Sequence, residues 1–157
     1  MRTLITIPVY NEETYVDRVL ARVLGHAEHV LVIDDGSTDR TPCRLPSFPV
    51  EVIRHAENRG YGRSLMDAFR WAVLDGYDWV ITMDCDEQHA PESIPDFLAA
   101  AAMDDADIVS GSRYLAASTN GDIPPENRRA INARITRMIN ERLGLRITDA
   151  FCGFKAY

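Results

Sequence analysis

The sequence predicts an α/β fold built on a largely parallel sheet. Short apolar runs typical of strands alternate along the chain with segments whose apolar residues recur at helical spacing. The length of 157 residues, with 46% hydrophobic and 26% charged residues, fits one globular domain. Polar residues gather where the predicted strands end. Because the carboxyl ends of parallel strands meet at one edge of a sheet, we expect a single pocket there.

The first half of the chain alternates predicted strands with helices. The strands cover residues 4–8, 30–33 and 50–53. Apolar residues within 16–24 recur at i, i+3, i+4 and i+7, which predicts the first helix. Thr38 and Asp39 can cap a second helix that Pro42 keeps short. The third helix ends at Gly76. Its predicted buried face consists of Leu65, Ala68, Phe69, Ala72 and Val73.

The second half continues the alternation. Two more strands are predicted, over residues 79–82 and 108–110. Pro91 and Glu92 begin the helix between them, because proline suits the first turn of a helix. The last helix runs from about 126 to 143 and ends at Gly144, and residues 151–157 begin a further strand. The chain therefore predicts one continuous α/β unit.

Composition excludes several classes of protein. The net charge of −7 and the isoelectric point near 5.0 argue against a nucleic-acid-binding protein. The three cysteines are far apart and odd in number, which favours a reducing cytoplasm over a disulfide framework or a zinc site. We expect no signal peptide and no membrane-spanning helix, because no apolar run is long enough.

An acidic cluster follows the strand over residues 79–82. Asp84 and Asp86 are two residues apart, so in an extended segment their side chains share a face that Gln88 continues, while Cys85 points inward. Oxygen ligands of this kind favour Mg²⁺ or Mn²⁺, and such an ion can hold a diphosphate. The alternative is a solvated acidic loop.

Two earlier strand ends carry candidate nucleotide contacts. Asp34 and Asp35 can accept hydrogen bonds from a base or ribose, although they also suit a simple turn. The first strand is followed by Tyr10, which can stack on a base, and by Glu12, which can also merely begin a helix. This loop contains no glycine, so the Rossmann and P-loop phosphate-binding patterns are both missing.

Taken in order, these segments resemble the family 2 glycosyltransferases of GT-A fold. The motifs that carry the resemblance are Pro8-Val9-Tyr10-Asn11-Glu12, Val32-Ile33-Asp34-Asp35-Gly36-Ser37-Thr38-Asp39, Asn58-Arg59-Gly60-Tyr61-Gly62 and Asp84-Cys85-Asp86. Residues 84–92, 111–114 and 149–155 are similar to the polyprenyl- or dolichyl-phosphate mannosyl- and glucosyltransferase branch. The resemblance implies one GT-A catalytic domain over 1–157, with helices on both faces of its sheet. Because resembling proteins continue beyond this point, we expect a truncated or minimal form.

The resemblance also assigns site residues. It implies a donor pocket that contains Pro8, Tyr10, Glu12, Asp34, Asp35, Gly60, Asp84 and Lys155. It implies an Mg²⁺ or Mn²⁺ site formed by Asp84, Asp86 and Gln88. The catalytic candidates are Asp86 and Arg113, the latter near the acceptor phosphate, and the alternative for Arg113 is a surface salt bridge.

The last predicted helix is basic within an acidic chain. Residues 126–146 hold six arginines and two glutamates, a net charge of +4. Its apolar residues fall on one helical face: Ile131, Ile135, Met138, Ile139 and Leu143. Arginines beside an apolar stripe suit an anionic membrane surface, and a core-packed helix with a solvated basic face is the alternative. The branch resemblance favours a cytoplasmic protein held peripherally at the inner face of the membrane.

These features predict a metal-dependent, inverting glycosyltransferase. The donor is a nucleotide diphosphate sugar of the GDP-mannose or UDP-glucose type, and the acceptor is a polyprenyl phosphate. A phosphate acceptor is already ionised at neutral pH, so no general base is assigned. The alternatives are transfer to a saccharide or other hydroxyl, a sugar nucleotidyltransferase, and a nucleotide-sugar-binding module without turnover. The sequence leaves the oligomeric state open.

Overall fold

The computed structural model describes residues 1–86, 89–115 and 125–157. In that part of the chain, six strands form one sheet in the order β3-β2-β1-β4-β6-β5. The strands are β1 (Thr3–Val9), β2 (Val30–Asp34), β3 (Glu51–Arg54), β4 (Trp79–Thr82), β5 (Val109–Ser110) and β6 (Lys155–Ala156). The described helices are α1 (Val16–Val23), α2 (Thr41–Arg44), α3 (Tyr61–Leu74), α4 (Ile94–Ala101) and α5 (Glu126–Leu143).

Strand directions make the sheet mixed. β1 runs parallel to β2 and β4, and β2 runs parallel to β3. β6 lies antiparallel between β4 and β5. The predicted α/β class with a mostly parallel sheet is therefore confirmed. The parallel ends of β1, β2 and β4 deliver their following loops to one edge, as the strand-end argument requires.

Alternating side chains of β2 explain why helices cover both faces. Val30 and Val32 face a core that α1 completes, whereas Leu31 and Ile33 face a second core that α3 completes. Side chains in a strand point alternately to opposite faces, so an uninterrupted apolar run requires cover on both sides. All of β2 is buried.

The predicted inner face of α3 is partly wrong. Val73 was expected to be buried, and it is 79% exposed. The residues of α3 that are buried are Ser64, Ala68 and Ala72, which repeat every four positions. Small side chains let the helix approach the sheet closely through this narrow stripe, so Val73, one position further on, points away.

Helix α5 matches its predicted bounds and contacts the fold through polar residues. Gly144 ends the helix at a φ of 66°, a left-handed conformation that glycine adopts readily. Asn132 and Thr136 are the buried residues of α5. Ile131, Met138 and Leu143 are 58%, 42% and 68% exposed, so the predicted apolar stripe is not packed into the core. No described helix is long and apolar enough to cross a membrane.

Candidate functional site

The acidic cluster after β4 lies at the protein surface, and the residues that alternate with it in sequence are buried. Met83 and Cys85 point into the core, which turns Asp84 and Asp86 outward on one side, as predicted. Glu12, from the loop after β1, lies close to both. Partial burial and the negative charges of Asp86, Asp39 and Asp84 raise the pKa of Glu12. Three loops thus concentrate negative charge at one place, which suits a cation.

Two residues without a predicted role support Asp84. Nδ1 of His89 accepts a hydrogen bond from the Asp84 backbone N–H at 2.9 Å, and burial lowers the pKa of this imidazole. Tyr61, at the start of α3, lies near the Asp84 side chain, and burial followed by the Asp84 charge raises the pKa of Tyr61. Both residues belong to the motifs quoted above, but their spacing in the sequence does not predict that their side chains lie near Asp84.

Gly153 leaves room for the Asp84 carboxylate. A Cβ atom at this position would lie 2.8 Å from Oδ2 of Asp84 and 3.3 Å from Cε1 of His89. Because the closest atom is the end of a side chain, an alanine can be accommodated if the carboxylate moves. Position 153 therefore controls where the Asp84 oxygens lie.

We expect Gly153→Ala to fold normally and to displace the Asp84 carboxylate. Supporting residues around a metal ligand typically change affinity or activity by about 10- to 100-fold, and we expect a loss in that range. The measurement is the Mn²⁺ concentration that gives half-maximal donor binding, with thermal unfolding as the control for folding. Unchanged Mn²⁺ dependence would show that the close approach has no consequence.

Basic side chains lie beside the acidic cluster. Arg113 donates from Nε and Nη2 to both oxygens of Asp149, at 2.8 and 3.0 Å. Nζ of Lys155 donates to the Cys152 carbonyl oxygen. Burial lowers the pKa of His89, and the positive charges of Arg113 and Lys155 lower it further, so both cations are within electrostatic reach of the residue that contacts Asp84. Arg113 is thus a partly exposed member of an ion pair.

The two predicted base- or ribose-binding aspartates are buried and bonded within the chain. Asp34 accepts the Ser37 backbone N–H at 2.9 Å, and Arg54 lies 3.1 Å from its other oxygen. Asp35 accepts the backbone N–H groups of Arg59 and Gly60 at 2.9 and 2.8 Å. In this structure both carboxylates shape the loops at the strand ends, and their contact with a nucleotide stays a prediction.

A buried histidine extends the Asp35 network. Nδ1 of His55 lies 2.6 Å from Asp35, and its Nε2 lies 3.1 Å from Asp67 of α3. Its side chain is 5% exposed. Asp67 is held in turn by Arg63 at 2.7 Å. Sequence reasoning missed this bridge, because an isolated histidine after a strand gives no indication of its two partners.

The loop after β1 exposes its aromatic residue. Tyr10 is 45% exposed and Pro8 is partly buried, so the phenol ring is accessible for stacking. Asn11 has a left-handed φ of 59°, and its Oδ1 accepts the backbone N–H groups of Thr38 and Asp39 at 2.8 and 3.2 Å. Asparagine tolerates this conformation well, which explains how a loop without glycine makes the turn.

The acidic cluster fits a hard divalent cation without forming a closed cage. Among the described residues, no three His, Cys, Asp or Glu side chains form a ready metal site. Gln88, the third predicted ligand, lies outside the described residues. Asp84 and Asp86 nevertheless lie beside Glu12, and their negative charges add to the effect of burial in raising its pKa. A cation that shares its coordination with phosphate oxygens needs only a few protein ligands.

Comparisons with known proteins identify the family to which this chain belongs. The family model described as glycosyl transferase family 2 matches residues 4–157. The polyprenol monophosphomannose synthase of Mycolicibacterium smegmatis is 33% identical over 99% of this chain and 61% of its own length. The undecaprenyl-phosphate mannosyltransferase of Micrococcus luteus is 34% identical over 100% of this chain and 66% of its own length. The chain thus spans less than two thirds of these relatives.

A solved structure identifies the same architecture. The glucosyl-3-phosphoglycerate synthase of Mycobacterium tuberculosis, in complex with UDP, superposes with a TM-score of 0.74 over 99% of this chain and 56% of that protein, at 17% identity. At that identity the likeness concerns the fold, and it confirms the predicted GT-A fold. With the family match over nearly its whole length, the chain belongs to glycosyl transferase family 2.

Proposed function

We propose that this protein is a metal-dependent, inverting glycosyltransferase that moves a sugar from a nucleotide diphosphate sugar to a polyprenyl phosphate. One observation carries the proposal: Glu12, Asp84 and Asp86 concentrate negative charge beside the cations of Arg113 and Lys155. The acidic side suits a metal–diphosphate, and the basic side suits a second phosphate. The names of the two mannosyl-transferring relatives support the same acceptor class.

The proposal gives the donor-side residues distinct roles. Asp84 and Asp86 would hold Mg²⁺ or Mn²⁺, with Gln88 as a third ligand. Such an ion neutralises the donor diphosphate and stabilises the departing nucleoside diphosphate. Tyr10 stacks on the base, and the buried Asp35 network fixes the loop at Gly60 beneath the nucleotide.

The acceptor-side chemistry explains why a dedicated base is unnecessary. A polyprenyl phosphate oxygen is ionised at neutral pH and can attack the anomeric carbon directly, with inversion. Arg113 holds that phosphate through the part of its guanidinium group not bonded to Asp149, while Lys155 adds positive charge near the donor diphosphate. Asp86, which is exposed, would help to hold the metal that neutralises the donor diphosphate.

The direct test supplies the purified protein with labelled GDP-mannose or UDP-glucose, Mn²⁺ and a polyprenyl phosphate. We expect labelled lipid-linked sugar, and none after chelation of the metal. Transfer to saccharide or protein hydroxyls instead would support the other acceptor class. Tight donor binding without transfer to any acceptor would favour a binding module, and pyrophosphate release from a nucleoside triphosphate would favour a nucleotidyltransferase.

Helix α5 is proposed to lie against an anionic membrane surface. Its polar stripe faces the protein, whereas Ile131, Met138 and Leu143 are exposed beside exposed arginines. Apolar side chains can enter the headgroup region while arginines bind lipid phosphates.

Replacing Arg128 and Arg129 together by glutamate should weaken binding to vesicles of anionic lipid by at least roughly 30-fold, since each basic residue near such a surface contributes about 1 kcal/mol. Vesicle co-sedimentation measures this directly. The charge-matched control replaces the exposed Arg18 and Arg40, away from α5, by glutamate. Equal binding by both double variants would mean that α5 carries no special contact with lipid.

A further inference from the structure

The side chain of Asp149 joins two parts of the fold. Asp149 is 2% exposed and accepts the fork of Arg113, the residue proposed to bind the acceptor phosphate. Its Oδ1 also accepts Nδ2 of Asn132, from α5, at 2.7 Å. The burial of Asp149 opposes ionisation, but the hydrogen bonds from Arg113 and Asn132 outweigh it and hold the pKa of this carboxyl at about 2. One ionised carboxylate therefore connects Arg113 with α5.

The connection continues along the inner face of α5. Oγ1 of Thr136 donates to Oδ1 of Asn132 at 3.0 Å and accepts the Ala150 backbone N–H at 3.1 Å. The hydroxyl of Tyr114, next to Arg113 in sequence, lies 3.3 Å from Nδ2 of Asn132. The amide of Asn132 is thus oriented on both sides, so that its N–H group points at Asp149.

Polar docking makes the position of Arg113 sensitive to the helix. Asn132 and Thr136, the buried residues of α5, are both polar, so hydrogen bonds hold much of the inner face of the helix. Hydrogen bonds to a buried charge are directional, and losing one leaves the charge poorly compensated. A shift of α5 would therefore release Asp149, and with it the guanidinium group of Arg113.

Arg113 retains capacity for a ligand in this arrangement. A guanidinium group has five N–H donors, and the contacts with Asp149 come from Nε and Nη2. The Arg113 side chain is 32% exposed, whereas that of Asp149 is fully buried. The ion pair therefore fixes the buried edge of the guanidinium group and leaves Nη1 for a phosphate oxygen. A salt bridge with only a structural role would not need to hold the partly exposed edge of the Arg113 guanidinium group in one orientation.

We propose that Asp149 and Asn132 are positioning residues that orient Arg113 for the acceptor phosphate, so that recognition of the acceptor depends on the hydrogen bond by which Asn132 of α5 holds Asp149. This inference rests on the proposed function, because it concerns the acceptor half of that site. It assigns a role to the aspartate and the asparagine themselves, neither of which reaches the reacting atoms.

The experiment compares two asparagines of the same helix. Asn140 also bonds within the fold, through Nδ2 to the Ile147 carbonyl oxygen at 2.8 Å and through Oδ1 to the Ile147 N–H at 3.0 Å, without contact with Asp149. We expect Asn132→Ala to raise the KM for polyprenyl phosphate by about 10-fold or more, since small misplacements of a binding group are costly. The KM for the donor should not change. Asn140→Ala should lower Tm about as much as Asn132→Ala does, because each removes hydrogen bonds between α5 and the rest of the fold. It should leave the KM values for donor and acceptor unchanged.

Equal acceptor KM values for the wild type and Asn132→Ala would overturn the inference, as would equal increases in both asparagine variants. If Asn132→Ala does not fold, the isosteric Thr136→Val, which removes the hydroxyl that orients Asn132, should raise the acceptor KM alone, and an unchanged KM would be contrary to the inference. A wild-type protein that transfers no sugar to polyprenyl phosphate overturns the proposed function first, and the inference with it. The two failures are therefore distinguishable.

Discussion

Replacing Asp84 by alanine is expected to lower sugar transfer by about 100-fold or more, because a preorganised group that stabilises charge in the transition state contributes on this scale. The same change should remove most of the Mn²⁺ dependence of donor binding. Asp86→Ala should act in the same direction, since both carboxylates raise the pKa of Glu12 and so belong to one cluster. Steady-state transfer rates and calorimetric donor binding measure the two effects.

The control for this prediction is Asp105→Ala, which removes an exposed carboxylate far along the chain from the cluster. Its transfer rate should equal that of the wild type. Thermal unfolding of the Asp84 variant should stay close to that of the wild type, because the Asp84 side chain is 36% exposed. Full activity of Asp84→Ala would remove the metal role from this residue.

Asp35→Asn is expected to produce the largest loss of stability. Asp35 is 4% exposed and accepts hydrogen bonds from His55, Arg59 and Gly60. An asparagine offers one oxygen and turns its NH₂ group toward a donor, so we expect the free energy of unfolding to fall by about 3 kcal/mol. Denaturant titration measures it. Asp75→Asn, at an exposed ion pair, should cost less than about 1 kcal/mol.

The effect of Asp35 should also depend on pH. Burial opposes ionisation of Asp35, but the hydrogen bonds from His55, Arg59 and Gly60 prevail and hold its pKa below the ordinary value of 3.8. The ionised carboxylate therefore stabilises the fold above that value, and the contribution is lost as the pH falls through the lower pKa of the folded state. We expect the difference between wild type and Asp35→Asn to shrink in acid. A difference that stays constant between pH 7 and pH 3 would contradict this account.

The fold was largely predictable because the strongest patterns are local. The uninterrupted apolar run of β2 requires cover on both faces, and the bounds of α5 follow from its length and from Gly144. The distance between each helix and the sheet could not be predicted from the sequence. Val73 illustrates this, because the small residues Ala68 and Ala72 set the packing stripe of α3 and leave the larger valine in solvent.

The candidate site was predictable where residues follow strands and less so where they meet across the fold. Asp84 and Asp86 point outward together because Cys85 is buried between them, which strand alternation predicts. The contacts of His89 and Tyr61 with Asp84 depend on tertiary structure. So does the polar inner face of α5: helical periodicity identifies an apolar stripe, but it cannot determine which side of the helix docks.

The central claim is that a cation bound by Asp84 and Asp86 holds the donor diphosphate. Its most direct test is anomalous diffraction from crystals grown with Mn²⁺ and a nucleoside diphosphate. We predict an anomalous peak within direct coordination distance of both carboxylates, with the diphosphate supplying further ligands. A diphosphate bound elsewhere, with no peak between these two side chains, would contradict the account.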